Sequence, residues 1–298
     1  MAESQSPITH NKNWYDKSYK ILLIPPIALL LISLIYLGIF YQKNNDLFYT
    51  DVSIKGGTTI TLFSQINSEE IRNLLIEEFP DISVRTISDL RTGEQHGIIV
   101  ESTANVELLR PALEEAIGFT LTEENSSVEF TGSALSSSFY KQLRSSLLIA
   151  FLCMALVVFI IFRTFIPSAA VILAAFADII MTIAVIDLLG INLSLAGIVA
   201  ILMLIGYSVD TDILLTTRVL KNREESINTR IYGAFKTGMM MTLTAMAAVA
   251  VSLFFVYSIS EVLRQIFTIL LIGLFFDILN TWLTNASIIK WYAEVKKL

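Results

Sequence analysis

Six apolar stretches, each long enough to cross a lipid bilayer, constrain the fold of this chain more than any other feature. A membrane-spanning helix needs roughly 17–25 residues, and every stretch meets that length. Charged residues make up only 16% of the 298 residues, against about 25% in an ordinary globular domain. The sequence therefore predicts an α-helical membrane protein with a six-helix transmembrane bundle. The stretches comprise residues 21–42, 145–162, 168–189, 193–217, 237–260 and 265–289.

The distribution of lysine and arginine predicts the orientation of the bundle. Basic residues accumulate in short loops on the cytosolic side of membrane proteins. In this chain they precede the first stretch, separate the second from the third and the fourth from the fifth, and follow the sixth. Both termini, residues 1–20 and 290–298, are therefore predicted to be cytosolic. Residues 43–142 form an extracytoplasmic domain, and residues 143–289 contain the other five helices of this multi-pass protein of the cytoplasmic membrane.

The region outside the membrane is strongly acidic. Residues 44–140 contain 16 acidic and five basic side chains, a net charge of −11 within a chain of net charge −6. An acidic surface repels the phosphate backbone, so no nucleic-acid partner is expected. A solvated acidic surface is the default interpretation of such a charge pattern, and a basic ligand for this domain is the alternative.

The chain lacks the residues that most disulfide and metal chemistry requires. Cys153 is its only cysteine and lies in the second apolar stretch, so no disulfide can form within the chain. The two histidines, His10 and His96, are far apart and have no cysteine or carboxylate cluster nearby. We therefore expect no metal site and no cofactor.

Residues 43–142 alternate the signals of strands and helices. Asn67 can cap a helix whose first turn is acidic and whose apolar residues recur at helical spacing as far as Phe79. A second helix occupies residues 107–117 and stops at Gly118. The strand-like segments are residues 58–63, 82–87, 96–101 and 127–131, with a turn at 92–93. The order βαββαβ predicts an α+β external domain of ferredoxin-like layout, which many unrelated functions use.

Five aspartates lie in the apolar stretches; Asp187 is near the end of its stretch and is expected to be interfacial and structural, and the other four interrupt their stretches. An ionisable side chain at the bilayer centre costs about 2.5–3.5 kcal/mol on insertion scales, and such residues usually face a bundle interior or a water-filled cavity. Asp178 and Asp277 lie near the middle of their stretches, whereas Asp210 lies nearer the cytosolic end of its stretch. Asp212 follows Asp210 by two residues, about 200° around the helix, so these two cannot point at one site.

Three short motifs occur in a fixed order along the chain. The first contains an aspartate and, five residues later, a Gly-Gly-Thr sequence whose glycines suit a tight turn or bulge. The second directly precedes the second membrane helix, and the third lies in the fourth apolar stretch. The motif residues are Asp51, Gly56, Gly57 and Thr58; Gly132; and Gly206, Tyr207 and Arg218.

Together these motifs resemble those of the SecD/SecF family of the RND superfamily. The six spans, with the large domain between the first two, agree with that family, and the resemblance covers nearly the whole chain. It implies that the chain is one half of an RND-type unit and is not an enzyme but an accessory protein that works with a SecD-like subunit. It also implies contact with the Sec translocon channel, a translocating polypeptide and membrane lipid, and assistance to protein export, which in bacterial members draws on the proton-motive force.

The sequence departs from the bacterial SecF pattern at two places. Asp210 and Thr211 stand where the bacterial fourth-span motif has Asn-Asp. Lys236 stands where the fifth span often has arginine. In these departures the chain resembles the archaeal type of the family.

Asp210 is the first candidate for a proton relay, since it alone of the four acids lies in a family-like motif, and Lys236 is its candidate charge partner. A carboxyl group in a dry site resists ionisation and can load and release a proton as the site opens and closes. Asp178 and Asp277 are further candidates, as is Asp212, which is expected to face away from the bundle. The alternative for each is a neutral aspartate that only hydrogen-bonds across helices, worth ~0.6 kcal/mol on average.

Two other functions compete with protein export. A six-span chain with one external domain also suits half of an RND-type exporter of small molecules or lipids. An intramembrane aspartyl protease needs two facing acids on adjacent spans, and Asp178 with Asp210 would be its dyad. The residues that precede these aspartates differ from the Tyr-Asp and Gly-x-Gly-Asp pairs of that protease family, which disfavours a protease.

Overall fold

The computed structural model describes residues 14–44, 46, 48–88, 92, 94–221, 225–257 and 260–297. The first thirteen residues of the N-terminal segment, Gly93 of the expected turn and the 222–224 connection lie outside the described residues. Within the described ranges, six helices are long and apolar enough to cross a membrane, as the sequence predicts. They are Trp14–Asn44, Tyr140–Phe162, Phe165–Leu188, Leu195–Lys221, Ile227–Val256 and Val262–Lys296.

A small α+β domain separates the first membrane helix from the other five. In chain order the helices are α1 (Trp14–Leu22), α2 (Ile24–Asn44), α3 (Val52–Lys55), α4 (Ser68–Leu75), α5 (Val106–Ile117), α6 (Ser133–Phe162), α7 (Phe165–Leu188), α8 (Leu195–Lys221), α9 (Ile227–Val256), α10 (Glu261–Leu279) and α11 (Ala286–Lys296). A π-helical segment, Asn280–Asn285, joins α10 to α11. The strands are β1 (Gly57–Leu62), β2 (Ser83–Ser88), β3 (Gln95–Ser102) and β4 (Ser126–Thr131).

Helices α7, α8 and α10 form the centre of the bundle. More than half of the residues in the apolar parts of α7 and α8 are buried, against few of those in α6 and α9. Helices α8 and α10 approach closely because α10 has Gly273 at their contact, where a Cβ atom would overlap the side chain of Leu204. A Cβ atom at Gly197 of α8 would likewise crowd Ile269. Since small residues let membrane helices pack at short distance, these glycines set the position of α10 against α8.

The four strands form an antiparallel sheet in the order β2-β3-β1-β4, with α4 and α5 packed on one face. This is the ferredoxin-like arrangement that the βαββαβ order predicts. Ile60 and Val100 point from the sheet toward the helices and are fully buried. Ile71 and Leu113 meet them from α4 and α5. Burial of each such side chain is worth about 1.5–3 kcal/mol, so an apolar core holds the domain together.

The ends of α4 and α5 have the caps that their sequences predict. The Asn67 side chain accepts a hydrogen bond of 3.0 Å from the backbone N–H of Glu69 at the start of α4. Helix α5 ends at Gly118, which adopts a left-handed conformation with a φ of 77°. Helix α4 is shorter than expected: it ends at Leu75, and Phe79 packs into the core from beyond its end.

The glycine pair of the first motif forms the turn that leads from α3 into β1. Gly56 and Gly57 have positive φ angles of 83° and 146°, which residues with a side chain rarely adopt. A Cβ atom at Gly57 would also overlap the carbonyl oxygen of Ser102 on β3. Thr58 is fully buried, and its hydroxyl donates a hydrogen bond of 2.7 Å to the carbonyl of Ala104. The fold of the domain thus accounts for these three motif residues.

A short hydrogen-bonded network, which we call the anchor, joins the α+β domain to the bundle. Asp187 at the end of α7 accepts hydrogen bonds from the backbone N–H of Tyr49 at 3.0 Å and the hydroxyl of Tyr36 at 3.1 Å. Leu193, in the loop before α8, donates its N–H to the carbonyl of Tyr49 at 2.7 Å. The carbonyl of Leu193 accepts from the N–H of Asp51 at 3.1 Å. Asp187 and Asp51, the first residue of the first motif, therefore have structural roles here.

The α+β domain has an acid-sensitive contact at Asp81. Partial burial by itself raises the pKa of Asp81, but hydrogen bonds from the N–H of Thr103 at 2.6 Å and the hydroxyl of Ser102 at 3.1 Å outweigh it and lower the pKa. A carboxyl group with a lowered folded-state pKa stabilises the fold above its unfolded pKa of about 3.9. This stability is lost as pH falls through the lower, folded-state pKa.

We expect Asp81→Asn to destabilise the domain near neutral pH. The loss of unfolding free energy relative to the native chain should shrink as pH falls from about 5 to about 2. Hydrogen exchange of the β3 amides in the full chain measures this difference. Glu77→Gln, at an exposed position of the same domain, is the control and should leave the exchange rates unchanged. A deficit of Asp81→Asn that stays constant over this pH range would contradict the assignment.

Candidate functional site

Three aspartates from three helices meet in the centre of the bundle. Asp178 lies on α7, Asp212 on α8 and Asp277 on α10, and each is at most 1% exposed. They come together because α10 packs against both α7 and α8. We call these three residues, with the side chains that donate hydrogen bonds to them, the acid cluster. Among the described residues, no group of three or more His, Cys, Asp or Glu side chains is placed to hold a metal ion.

Hydroxyl and amide donors on α8 and in the π-helical segment contact Asp178 and Asp277. The Asp178 carboxyl group accepts from the Ser208 hydroxyl at 2.5 Å and from the side-chain N–H of Asn280 at 2.7 Å. The Thr211 hydroxyl lies 3.2 Å from the Asp277 carboxyl group. Because Ser208 and Thr211 are three residues apart on α8, one face of this helix joins Asp178 to Asp277.

Asp212 completes the acid cluster. Its Oδ1 atom accepts from the hydroxyl of Thr281 at 2.9 Å and from the side-chain N–H of Asn285 at 2.7 Å. The same Thr281 hydroxyl lies 3.1 Å from Oδ1 of Asp277. A hydroxyl group has one proton, so Thr281 can donate to only one of these two carboxyl groups at a time.

The partners of the three aspartates are uncharged. Within the described part of the chain, no lysine, arginine or histidine forms a hydrogen bond or an ion pair with them. Burying an isolated charge is far more costly than burying a hydrogen-bonded neutral group. Protons held on the carboxyl groups would remove this charge and would supply donors that the hydroxyl groups alone do not provide.

Three buried acceptor atoms at the cluster point to the same need for donors. Asp212 Oδ2, Asn280 Oδ1 and Asn285 Oδ1 have no hydrogen-bond partner among the described residues. Leaving such an acceptor unsatisfied costs about 1–3 kcal/mol. A carboxylic acid can donate a hydrogen bond, whereas a carboxylate can only accept one. A proton on one of the carboxyl groups would supply a donor for these acceptors.

The π-helical segment Asn280–Asn285 brings most of the donors to the cluster. Asn280, Thr281 and Asn285 all belong to it, and each donates to an aspartate. π-helical turns are rare and occur frequently at functional sites. Because the segment reaches acids on α7, α8 and α10, a change of its helical register would alter hydrogen bonds to all three.

Several donors of the cluster lie outside the set of residues predicted from the sequence. Ser208 and Thr211 lie within the third motif and Thr281 lies in the sixth apolar stretch, and none of the three was predicted to contact the acids. The spacing of four between Asp277, Thr281 and Asn285 places these on one helical face, and this spacing is the signal that would have found Thr281. The π-helical turn has no comparable signal in the sequence.

The orientation of the two aspartates on α8 differs from the prediction. Asp212 was expected to face away from the bundle, and this is wrong: Asp212 is fully buried, while Asp210 is exposed. Leu204 and Leu215 are also fully buried and lie on the same helical face as Asp212, so packing fixes the rotation of α8. Lys236 is exposed as well, and no ion pair joins it to Asp210 within the described ranges.

The remaining motif residues lie at the surface or at helix contacts. Gly206 and Tyr207 are exposed on α8, on the side that also carries Asp210. Arg218 donates a hydrogen bond of 2.7 Å to the carbonyl of Gly233 and so ties α8 to α9. Gly132 is the N-cap residue of α6. The third motif therefore exposes Gly206 and Tyr207 on the outer side of α8, while its Arg218 contacts α9.

Asp178 and Asp210 do not form the facing pair that an aspartyl protease requires. Asp178 contacts Ser208 in the interior. Asp210 lies two residues after Ser208, on the other side of α8, and is exposed. The acids that do lie together are the three of the acid cluster.

The fold and the site define an integral membrane protein with ionisable groups in the core of its helical bundle, where proton relays and transport pathways are found. The family model described as "Protein export membrane protein SecD/SecF, C-terminal" matches residues 114–295. The chain belongs to the SecD/SecF family, as the motifs indicate, and its relatives are archaeal SecF proteins.

Two archaeal relatives and one solved structure show how far the similarity extends. The protein-export membrane protein SecF of Methanothermobacter thermautotrophicus is 42% identical over 287 residues, covering 94% of each chain. The SecF of Methanocaldococcus jannaschii is 37% identical over 281 residues, covering 93% of this chain and 96% of the relative. The crystal structure of SecDF, a translocon-associated membrane protein from Thermus thermophilus, superposes with a TM-score of 0.76 at 19% identity. The match covers 97% of this chain and 40% of that longer chain.

Proposed function

We propose that this chain is a SecF-type accessory subunit of the Sec translocase, which acts with a SecD-like subunit to assist protein export across the cytoplasmic membrane. The observation that carries the proposal is 42% identity to an archaeal protein-export SecF over 94% of both chains. The likeness of fold to SecDF supports it, because the chain spans about two-fifths of that structure and leaves room for a second six-helix half.

The distribution of basic residues supports an orientation for this subunit. With Arg218, Lys221 and the terminal lysines in the cytosol, as the positive-inside rule requires, both termini are cytosolic and the α+β domain is extracytoplasmic. The domain is then on the side where an exported polypeptide emerges from the Sec channel. The division into residues 1–20, 21–42, 43–142, 143–289 and 290–298 follows from this topology.

The exposed face of α8 and α9 is the proposed contact with the SecD-like subunit. Asp210 and Lys236 are exposed on this face, within helices that cross the membrane. A charged side chain in contact with lipid is costly, so residues of this kind almost always face protein or water. A Cβ atom at Gly206 would meet nothing within 4 Å, so a neighbouring helix has room to approach there.

The acid cluster is the proposed proton store of the subunit. Asp212 and Asp277 share the Thr281 hydroxyl, Asp178 accepts from the Ser208 hydroxyl, and all three are buried away from basic side chains of the described chain. Movement of α10 against α8 changes the distances between these acids, so it can load or release a proton. Asp210 and Lys236, at the subunit contact, are the proposed route by which the partner takes part in this exchange.

Cysteine cross-linking tests the subunit contact and the family function together. In a Cys153→Ser background, Asp210→Cys and Lys236→Cys should cross-link to a co-expressed SecD-like subunit. Leu156→Cys, 60% exposed on α6, is the control and should not. Depletion of the chain should reduce secretion of a reporter protein, and re-expression should restore it.

Three results would overturn the proposal. The first is normal secretion in depleted cells, together with the absence of any SecD-like protein among the proteins that the tagged chain pulls down. The second is increased sensitivity of such cells to small molecules with normal secretion, which would support an RND-type exporter. The third is cleavage of a transmembrane reporter by the purified chain, which would support a protease.

A further inference from the structure

Trp282 of the π-helical segment fills a depression in the surface of helix α9. The depression exists because residue 238 is a glycine: a Cβ atom there would lie 2.5 Å from Cζ2 and 3.0 Å from Cη2 of the Trp282 ring. Phe235, about one turn earlier on α9, meets the indole edge to face, with the ring centres 5.1 Å apart and the ring planes at 82°. We call the surface formed by Phe235 and Gly238 the notch.

The notch lies on the narrow side of α9 that packs against the rest of the bundle. Lys236 and Met240, by contrast, are exposed on α9. Each is two residues from Gly238, about 200° around the helix. One turn of α9 therefore carries the notch on one side and the proposed contact with the SecD-like subunit on the other. The buried residues of α9 are Arg230, Ile231, Ala234, Gly238 and Thr242.

Shape, rather than a hydrogen bond, holds the indole in the notch. Trp282 is only 7% exposed, yet its Nε1 atom has no hydrogen-bond partner among the described residues. A buried indole N–H usually has a partner, and an edge-to-face ring pair is worth only about 0.5–1.5 kcal/mol beyond the area that it buries. A displacement of α9 can thus move the indole without first breaking a hydrogen bond.

The notch also borders the acid cluster. The Cβ position of Gly238 lies 3.5 Å from Cγ2 of Thr211 on α8. The hydroxyl on the same Thr211 side chain lies 3.2 Å from the Asp277 carboxyl group. Only one side chain therefore separates the notch in α9 from an acid of the cluster.

The residue before Trp282 is the donor that two acids share. The Thr281 hydroxyl lies 2.9 Å from Oδ1 of Asp212 and 3.1 Å from Oδ1 of Asp277. Because these distances are nearly equal and the hydroxyl has one proton, a small rotation of the segment decides which carboxyl group accepts it. Any motion of the indole acts on this choice directly, since Thr281 and Trp282 are joined by a peptide bond.

We propose that Trp282 is a positioning residue that couples the subunit contact to the acid cluster. A displacement of α9 by the SecD-like subunit moves the indole, and the π-helical segment turns the Thr281 hydroxyl between Asp212 and Asp277. This exchange of a hydrogen bond changes the relative proton affinity of the two carboxyl groups. The proposal rests on the proposed function, which places the SecD-like subunit against α9 and the proton store at the acid cluster.

Substitutions on the two sides of the notch test the coupling by loss and rescue of secretion. Gly238→Ala puts a methyl group where the indole edge lies and should slow secretion of the reporter protein by roughly tenfold. Phenylalanine lacks the outer ring atoms that this methyl group would meet, so Gly238→Ala with Trp282→Phe should recover most of the rate. Gly38→Ala on α2 is the control and should leave secretion unchanged, since a Cβ atom there meets nothing within 4 Å.

A fluorine label on the indole measures the coupling even if Gly238→Ala fails to fold. The sequence has three tryptophans, so Trp14→Phe with Trp291→Phe leaves Trp282 as the only site for fluorotryptophan. The labelled chain in lipid nanodiscs then gives one fluorine NMR resonance, which should shift when the unlabelled SecD-like subunit is added. Trp291 labelled alone, 42% exposed on α11, is the control and should not shift.

Thr281→Val tests the last step of the coupling, because valine keeps the shape of the side chain and removes the hydroxyl. In this variant the subunit should still shift the Trp282 resonance, but secretion should fall about as far as in Gly238→Ala.

The inference fails if the bound subunit leaves the Trp282 resonance unchanged, or if the double variant secretes no faster than Gly238→Ala. Secretion at the native rate by Gly238→Ala or Thr281→Val would also overturn it. If depletion of the chain still reduces secretion and Asp210→Cys still cross-links, such a result leaves the proposed function intact. If the resonance shifts but depletion leaves secretion normal, the proposed function fails instead.

Discussion

Asp212→Leu is expected to destabilise the purified chain by about 1–3 kcal/mol, while Asp210→Leu leaves its stability unchanged within about 0.5 kcal/mol. The leucine at 212 removes the acceptor of the buried Asn285 amide, whereas the Thr281 hydroxyl keeps Asp277 as its acceptor. Each buried donor left without a partner costs about 1–3 kcal/mol. Thermal and denaturant-induced unfolding in detergent micelles measure both variants.

The two substitutions are chemically identical and lie two residues apart on one helix, so burial is the variable that separates them. Equal destabilisation by both would contradict the orientation of α8 described above. Asp212→Asn keeps the shape of the side chain but cannot exchange a proton. This variant is expected to retain most of the stability of the native chain but to lose most of its ability to support secretion of the reporter protein. Full secretion with Asp212→Asn would show that Asp212 is not part of the proton store.

The sequence was sufficient to predict the large features of the fold because they depend on local patterns. Six long apolar runs have one stable form in a bilayer, and the caps at Asn67 and Gly118 mark helix ends by backbone chemistry alone. Alternating strand and helix signals gave the order of a ferredoxin-like domain. The glycine pair at 56–57 was correctly interpreted as a turn.

The acid cluster could be predicted only in part, because it depends on helix rotation and on contacts between distant segments. A spacing of two residues shows that Asp210 and Asp212 face differently, but in a uniformly apolar helix it does not show which one is buried. Packing of Leu204 against α10 at Gly273 decides that question. The π-helical segment has no signal in the sequence, so Asn280 and Asn285 could be recognised as polar residues in a span but not as partners of the acids.

Lys290 illustrates the same limit at the end of the bundle away from the α+β domain. Its position after the sixth apolar stretch predicts a solvated tail residue, yet it is fully buried on α11. Its ammonium group lies 2.5 Å from Asp16 of α1 and 2.6 Å from Asn228 of α9. The ring of Tyr15 has its centre 4.1 Å away and that of Tyr19 5.0 Å away. We call these four residues around Lys290 the lysine cage.

Lys290→Met is expected to destabilise the protein by about 2–4 kcal/mol, less than the about 3–5 kcal/mol of a fully buried pair because the Asp16 side chain is 21% exposed. The methionine fills much of the same volume but leaves the Asp16 carboxylate and the Asn228 carbonyl without the ammonium group. Since the cage joins α1 to α11 and α9, we expect α1 to detach before the bundle unfolds. Limited proteolysis near Trp14, together with thermal unfolding, measures both effects.

A double-substitution cycle decides whether the ion pair itself is responsible. Asp16→Asn removes the negative charge, so Lys290→Met should cost less in that background than in the native chain, by about 0.5–3 kcal/mol for residues in direct contact. Lys17→Met, on the exposed side of the same helix, removes an equal charge and should change neither proteolysis nor stability. Purely additive costs would mean that Lys290 acts through its apolar stem and its contacts with the tyrosine rings rather than through Asp16, and α1 would then be held by packing alone.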